Sequence, residues 1–280
     1  MRSIRSIHRF GFVFAALLCL GAATHAAADE IFPDENLRAV IKEILVKKQI
    51  NKETIEEVDL KTIYFLDAAE RGIKDLTGLD KCTNLASIKL PRNQIESVAP
   101  LAALKNVQEL HLQNNNIGDI APLGEMTKLQ YIQLEHNQVT KLDGLEKLAN
   151  LRSLYLSSNQ VESLAPLSAL SKLTSLYLND NKVSDLSPLK DLKWIDLLGL
   201  KNNQIADLSP LATFTELRFT FLEGNPLTDL AVLVEMAKKD VDGEQRFAPY
   251  WRLYLDVGKL PEAAKAQVEE LTKLGVRVNK

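Results

Sequence analysis

Asn93, Asn115, Asn137, Asn159, Asn181, Asn203 and Asn225 succeed one another at a constant interval of 22 residues. Each closes the same phrase, as in Leu151-Arg-Ser-Leu-Tyr-Leu-Ser-Ser-Asn159-Gln-Val161. A period this strict, held over most of a 280-residue chain, argues against a single closed core. A short unit must instead stack on copies of itself, each burying the face its neighbour leaves open.

The chemistry of the unit follows from its fixed positions. The first holds Leu85, Val107, Leu129, Leu151, Leu173, Ile195 and Leu217, and the fourth holds Ile88, Leu110, Ile132, Leu154, Leu176 and Leu198. The sixth is Leu from Leu90 to Leu222, and positions four to six alternate with polar neighbours as a short half-buried strand does. After the strand the chain must turn, which leaves inward amides and carbonyls without a ladder partner. An Asn side chain donates and accepts at once, so a buried column of Asn satisfies these groups repeat after repeat, a structural role. The outer segment, as in Asp185-Leu-Ser-Pro-Leu189, carries Pro and suits a short turn or one-turn helix better than a long α-helix.

These features define a leucine-rich repeat. The expected fold is an α/β solenoid, a right-handed superhelix with a parallel sheet on its concave side and short turns or 3-10 helices on its convex side. Counting back from Asn93, the residues Ile63, Leu66, Ala68, Ile73, Leu76, Leu79 and Cys82 fit the frame as a degenerate first copy, giving eight 22-residue repeats over residues 61–238. Counting forward puts Lys239, Asp242 and Glu244 at inward positions, so the regular array stops there. Exposed solenoid ends need covers. Residues 29–60 are the N-terminal cap, with Asp34 as N-cap of a helix whose inner face is Leu37, Val40, Ile41, Ile44 and Leu45. Residues 239–280 are the C-terminal cap, with an irregular strand at 251–255, a helix over 261–274 and a last strand at 275–278.

Residues 1–28 read as a cleavable signal peptide: Arg2, Arg5 and Arg9, an apolar run over 10–20, then Ala26, Ala27 and Ala28. The mature protein is therefore expected in the periplasm or secreted, with no membrane span. Loss of three Arg takes the formal charge from −3 to −6, with 31 Lys and Arg against 37 Asp and Glu, which argues against nucleic acid as a partner. Cys82 sits in an inward column and is expected to pack in the core.

The strand-turn phrase with its Asn, the Asp-Leu-Ser-Pro-Leu outer segment, and Ile31-Phe-Pro-Asp34 preceding Gly72-Ile-Lys-Asp-Leu-Thr-Gly-Leu79 resemble bacterial internalin-type leucine-rich-repeat proteins. The resemblance covers nearly all of residues 29–238. It implies the solenoid fold and binding of a protein partner through variable surface residues.

On the concave face, position three reads Phe65, Ser87, Glu109, Tyr131, Ser153, Ser175, Leu197, Phe219, and position five reads Asp67, Lys89, His111, Gln133, Tyr155, Tyr177, Gly199, Phe221. Tyr131, Tyr155, Tyr177, Leu197, Phe219 and Phe221 gather in the second half beside small Ser153, Ser175 and Gly199, an arrangement suited to protein recognition. The alternative for the Phe pair is cover by the C-terminal cap. Glu109, His111, Gln113, Glu135 and His136 form a polar cluster in the third and fourth repeats. His111 and Glu135 lie near enough to approach a divalent ion, but no ligand spacing is diagnostic and no metal is expected. Asn179, with Asp180 and Asn202, lends the same face a second reading, carbohydrate or envelope glycan binding. No nucleophile elbow, phosphate loop or His-Glu-x-x-His helix is present, so neither catalytic residues nor cofactors are expected.

Overall fold

A computed structural model describes residues 31–52 and 54–279; the expected signal peptide over 1–28 lies outside the described residues. Within them the 22-residue period becomes a ladder. Strands β1 (Phe65–Asp67), β2 (Ser87–Lys89), β3 (Glu109–His111), β4 (Tyr131–Gln133), β5 (Ser153–Tyr155), β6 (Ser175–Tyr177), β7 (Leu197–Gly199) and β8 (Phe219–Phe221) occupy the same place in successive units. β9 (Arg252–Tyr254) and β10 (Arg277–Val278) complete a ten-stranded parallel sheet in strict chain order. Like pairs with like: Phe65 lies beside Ser87, Ser87 beside Glu109, Tyr155 beside Tyr177. The strands fall at positions three to five, one residue earlier than the alternation suggests. Ladder bonds still reach position six, as when Leu90 N donates to His111 O at 2.9 Å.

Every inward residue of the frame from Ile63 to Leu222 is buried, Cys82 among them, and burial pushes the Cys82 thiol up to about 12. The Asn column works as its chemistry requires. Asn159 Oδ1 accepts from Val139 N at 2.9 Å, while its Nδ2 donates to Leu134 O at 2.9 Å and to Leu156 O at 3.0 Å. Each Asn thus ties its own turn to the preceding one.

The convex side is built from 3-10 turns, such as Ala99–Ala103, Ala121–Glu125 and Ala165–Ala169, each with Pro at its start. Two units depart from this. Gly78 and Gly144 stand where the others have Pro, adopt φ of +96° and +92°, and precede shorter turns at Leu79–Lys81 and Leu145–Lys147.

At the front, helix α1 (Glu35–Lys47) buries Leu37, Val40, Ile41 and Leu45 against the first repeat. Asp34 accepts from Leu37 N at 2.9 Å as N-cap, and from Lys74 N at 2.8 Å and Asp75 N at 3.1 Å, joining cap to array. A short helix, α2 (Glu57–Leu60), leads into β1. At the back, α3 (Ala231–Val241) replaces the one-turn helix and continues through residue 238, and α4 (Glu262–Lys273) packs on it. Buried Asp240 organises the link between them, accepting from Arg246 N at 2.8 Å, Phe247 N at 3.2 Å and Ala248 N at 2.9 Å. The insertion lengthens the last steps: Phe219 pairs with Arg252, and Arg252 with Arg277.

Thr220 occupies the fourth position of its unit, where other repeats place Ile or Leu, and is fully buried. The cap explains it. The indole of Trp251, also fully buried, donates Nε1–H to Thr220 Oγ1 at 2.9 Å. Thr220→Val keeps the shape and strands the indole donor, so chemical denaturation should show a loss of about 1–3 kcal/mol. An unchanged midpoint would mean that Trp251 has another partner.

Candidate functional site

The concave strands bring the sequence-proposed rings into one belt. His111 lies against Tyr131, Tyr131 against Tyr155 and Tyr155 against Tyr177, with centroids 5.1, 5.3 and 5.1 Å apart. Tyr177 then reaches Phe221 at 6.2 Å, and Phe221 stacks on Tyr254 at 4.7 Å and 7°. The belt crosses from β3 to β9, roughly 29 Å at the usual inter-strand spacing. The step from Tyr177 to Phe221 skips a strand, because β7 offers Gly199 at that place. A Cβ on Gly199 would lie 2.5 Å from Tyr177 Cδ1, so the missing side chain is the space into which the Tyr177 ring leans.

Contacts between rings fix their orientation before any partner arrives; such pairs contribute about 0.5–1.5 kcal/mol each. Burial, followed by the nearby Tyr155 and Glu135, pushes the Tyr131 phenol up to about 12. Burial likewise raises Tyr155 and Tyr177. Tyr131, Tyr155 and Tyr177 therefore present neutral phenols that both donate and accept at ordinary pH.

The remaining proposed residues fall around the belt rather than in it. Leu197 and Phe219 form a parallel row two residues earlier on β7 and β8, and are half-buried. Arg252 of the C-terminal cap lies over the Phe219 ring at 5.5 Å, so the cap partly covers this row. His111 Nδ1 hydrogen-bonds Gln133 Oε1 at 2.7 Å, which engages it away from Glu135. Glu135 is half-buried just past β4, and burial raises its carboxyl. His136 is exposed at a left-handed turn position (φ 55°), and Asn179 Oδ1 accepts from Lys201 N at 3.0 Å.

Three features escape sequence reasoning. Tyr254 extends the belt, but the long step from β8 to β9 hides its register. Arg252 faces the same way for the same reason. Trp194 does leave a signal: its column elsewhere reads Asn84, Asn106, Lys128, Asn150, Lys172 and Glu216. There Lys172 Nζ donates to Asn150 Oδ1 at 2.8 Å in a polar side ladder. Trp194 breaks that ladder, is 59% exposed, and lines an open groove with Arg152, Thr174, Asp196 and Arg218 beside the sheet.

The chain matches the model for leucine rich repeats (2 copies) at residues 105–147 and 149–191. None of the curated proteins matches it. Among solved structures, it is similar to an internalin C2 from Listeria monocytogenes at 30% identity and a TM-score of 0.69, over 75% of this chain and 92% of that one. It is also similar in fold to an internalin (inlF) from Listeria monocytogenes, 24% identical over 92% of both chains with a TM-score of 0.56. A plant peptide hormone receptor, RGFR1 in complex with RGF2, shares the fold at 23% identity and a TM-score of 0.53, over 64% of this chain and 30% of that one.

Proposed function

We propose, because this chain belongs to the internalin-type leucine-rich-repeat family, that it is a non-enzymatic recognition protein which binds a protein partner through its concave strands. The observation that carries the reading is the ring belt from His111 through Tyr131, Tyr155, Tyr177 and Phe221 to Tyr254. Large rings held by one another on an open sheet offer apolar area with little left to order on binding, which is what aromatic hot spots supply. Leu197 and Phe219, with Glu135, His136 and Asn179, would border the contact. A leucine-rich-repeat receptor binding a peptide hormone, at the fold level, is an instance of such recognition. The basic leader pattern and apolar run of residues 2–28 support a periplasmic or secreted site of action. Among the described residues no helix is long and apolar enough to cross a membrane.

Glycan binding on the same face would lean on the amides beside the rings. Asn202 Nδ2 already donates to Asp180 Oδ1 at 2.7 Å and Asn179 Oδ1 is engaged by Lys201, so these groups serve the turns first.

The test is capture of a partner from native envelope and medium with the processed chain, followed by cross-linking to identify the column touched. Replacing Tyr155 and Tyr177 together by Ala should weaken that partner about 30-fold or more, the effect of losing hot-spot rings. Full affinity in the double variant would remove the belt from the interface.

A further inference from the structure

We propose that the concave face holds a place for a guanidinium, an arginine of the partner that stacks on Tyr131 and Tyr155 and donates to Glu135. This rests on the concave belt being the partner site, and it names the chemistry that the partner brings there.

Glu135 follows β4 just below the belt, and its Oε2 is buried with no hydrogen-bond partner among the described residues. Gln113 Oε1, at the same place in the preceding repeat, is also buried and unpartnered. Neighbouring rungs lie about 4.8 Å apart, so the two acceptors without donors belong to adjacent rungs. A buried acceptor left unmade is costly, and a partner that supplies donors recovers that cost. Glu135 follows β4, the strand that carries Tyr131, and its charge helps to raise the Tyr131 and Tyr155 phenols, so it lies within electrostatic reach of both rings. Burial holds its carboxyl above the ordinary range, as expected of a carboxylate short of solvation.

The face itself supplies the precedent. Arg252, reaching in from the C-terminal cap, already lies over the Phe219 ring. A guanidinium is planar, more weakly hydrated than an ammonium, and carries five N–H donors in one plane, so it can stack on phenol rings while its edge serves Glu135 Oε2 and Gln113 Oε1 together. An ammonium satisfies the charge without the stacking. The formal charge of the whole chain, −3, favours approach of a basic segment.

The probe is N-acetyl-arginine amide, compared with the citrulline and lysine amides, titrated into the exported chain at about pH 8, where the arginine guanidinium is fully charged. The ring proton resonances of Tyr131 and Tyr155 report binding. The arginine derivative should bind about tenfold or more tightly than citrulline, which has nearly its shape and no charge, and more tightly than lysine. Glu135→Gln, nearly isosteric, should bring the arginine-to-citrulline ratio close to one while leaving the melting temperature unchanged or raised. A wild-type chain that binds the two alike, or a ratio that survives Glu135→Gln, overturns the proposal. The wild-type comparison needs no variant to fold. Partner capture lost in the Tyr155 and Tyr177 double variant but indifferent to Glu135→Gln would overturn this inference and leave the concave-face reading standing.

Discussion

Asn159→Ala is expected to lower the stability of the solenoid by about 2–4 kcal/mol, and to do so asymmetrically between donors and acceptors. Leu134 O accepts from both Asn137 Nδ2 and Asn159 Nδ2, and Leu156 O from both Asn159 Nδ2 and Asn181 Nδ2. Each carbonyl therefore keeps one donor after the substitution. Among the described residues Val139 N has only Asn159 Oδ1, so this buried amide is orphaned outright. Its desolvation and the space left by the side chain set the size of the effect. Amide exchange should accelerate first at Val139, and denaturation should lose cooperativity because an interior rung couples the two halves of a one-dimensional stack. Asn159→Asp sharpens the test: an ionised carboxylate accepts from Val139 but has nothing to give Leu134 and Leu156. Its pKa must rise in the folded state, so stability should fall as pH increases above about 4 and recover in acid. Asn225→Ala, half-buried at the end of the column, should cost less than Asn159→Ala. Equal costs, or a silent Asn159→Ala, would mean the column does not hold the rungs together.

What was legible follows from the same repetition. Where a side chain recurs every 22 residues, counting places it in space: the buried leucines, the Asn column and the pairing of Tyr155 with Tyr177 are all readable because the register never slips between β1 and β8. Cap residues obey no period. The link that carries α3 and Asp240 separates β8 from β9 by a longer step, so Tyr254 and Arg252 cannot be counted onto the concave face, although the strand around them can be recognised from its apolar residues. Thr220 could be read only as an anomaly in a Leu column, since its reason, the Trp251 indole, arrives from that same link. Gly199 was legible as a small residue among rings but not as the space into which Tyr177 leans, because a ring's tilt depends on neighbours two strands apart. Position eight illustrates a backbone demand hidden by side-chain variety. Arg92, Asn114, His136, Ser158, Asp180 and Asn202 share left-handed φ between 53° and 59° while having little else in common.

The Pro column of the convex turns hides a second such demand, and Gly144→Ala is expected to expose it. Pro100, Pro122, Pro166, Pro188 and Pro210 occupy one position of the unit, and Gly144 falls in that column. Repeat averaging would therefore suggest Pro at 144 as a stabilising change. The backbone says the opposite. Gly144 has φ of +92°, a conformation closed to Pro and strained for Ala, and a Cβ there would lie 2.5 Å from Ala121 O. The preceding repeat approaches just as closely, because a Cβ on Gly124 would lie 2.5 Å from Gly144 O. The atoms met are backbone on both sides, so relief requires one repeat to shift against the next. Strain of about 1–3 kcal/mol at the positive φ, together with about 1–3 kcal/mol of overpacking, gives a loss of roughly 3–5 kcal/mol for Gly144→Ala, and no less for Gly144→Pro. Gly258→Ala is the control, with nothing within 4 Å of the added Cβ and no positive φ, and it should stay within about 0.5 kcal/mol of the parent. If denaturation found Gly144→Pro as stable as the parent, the third and fourth repeats would not pack backbone to backbone, and the convex side would be looser than its 3-10 turns imply.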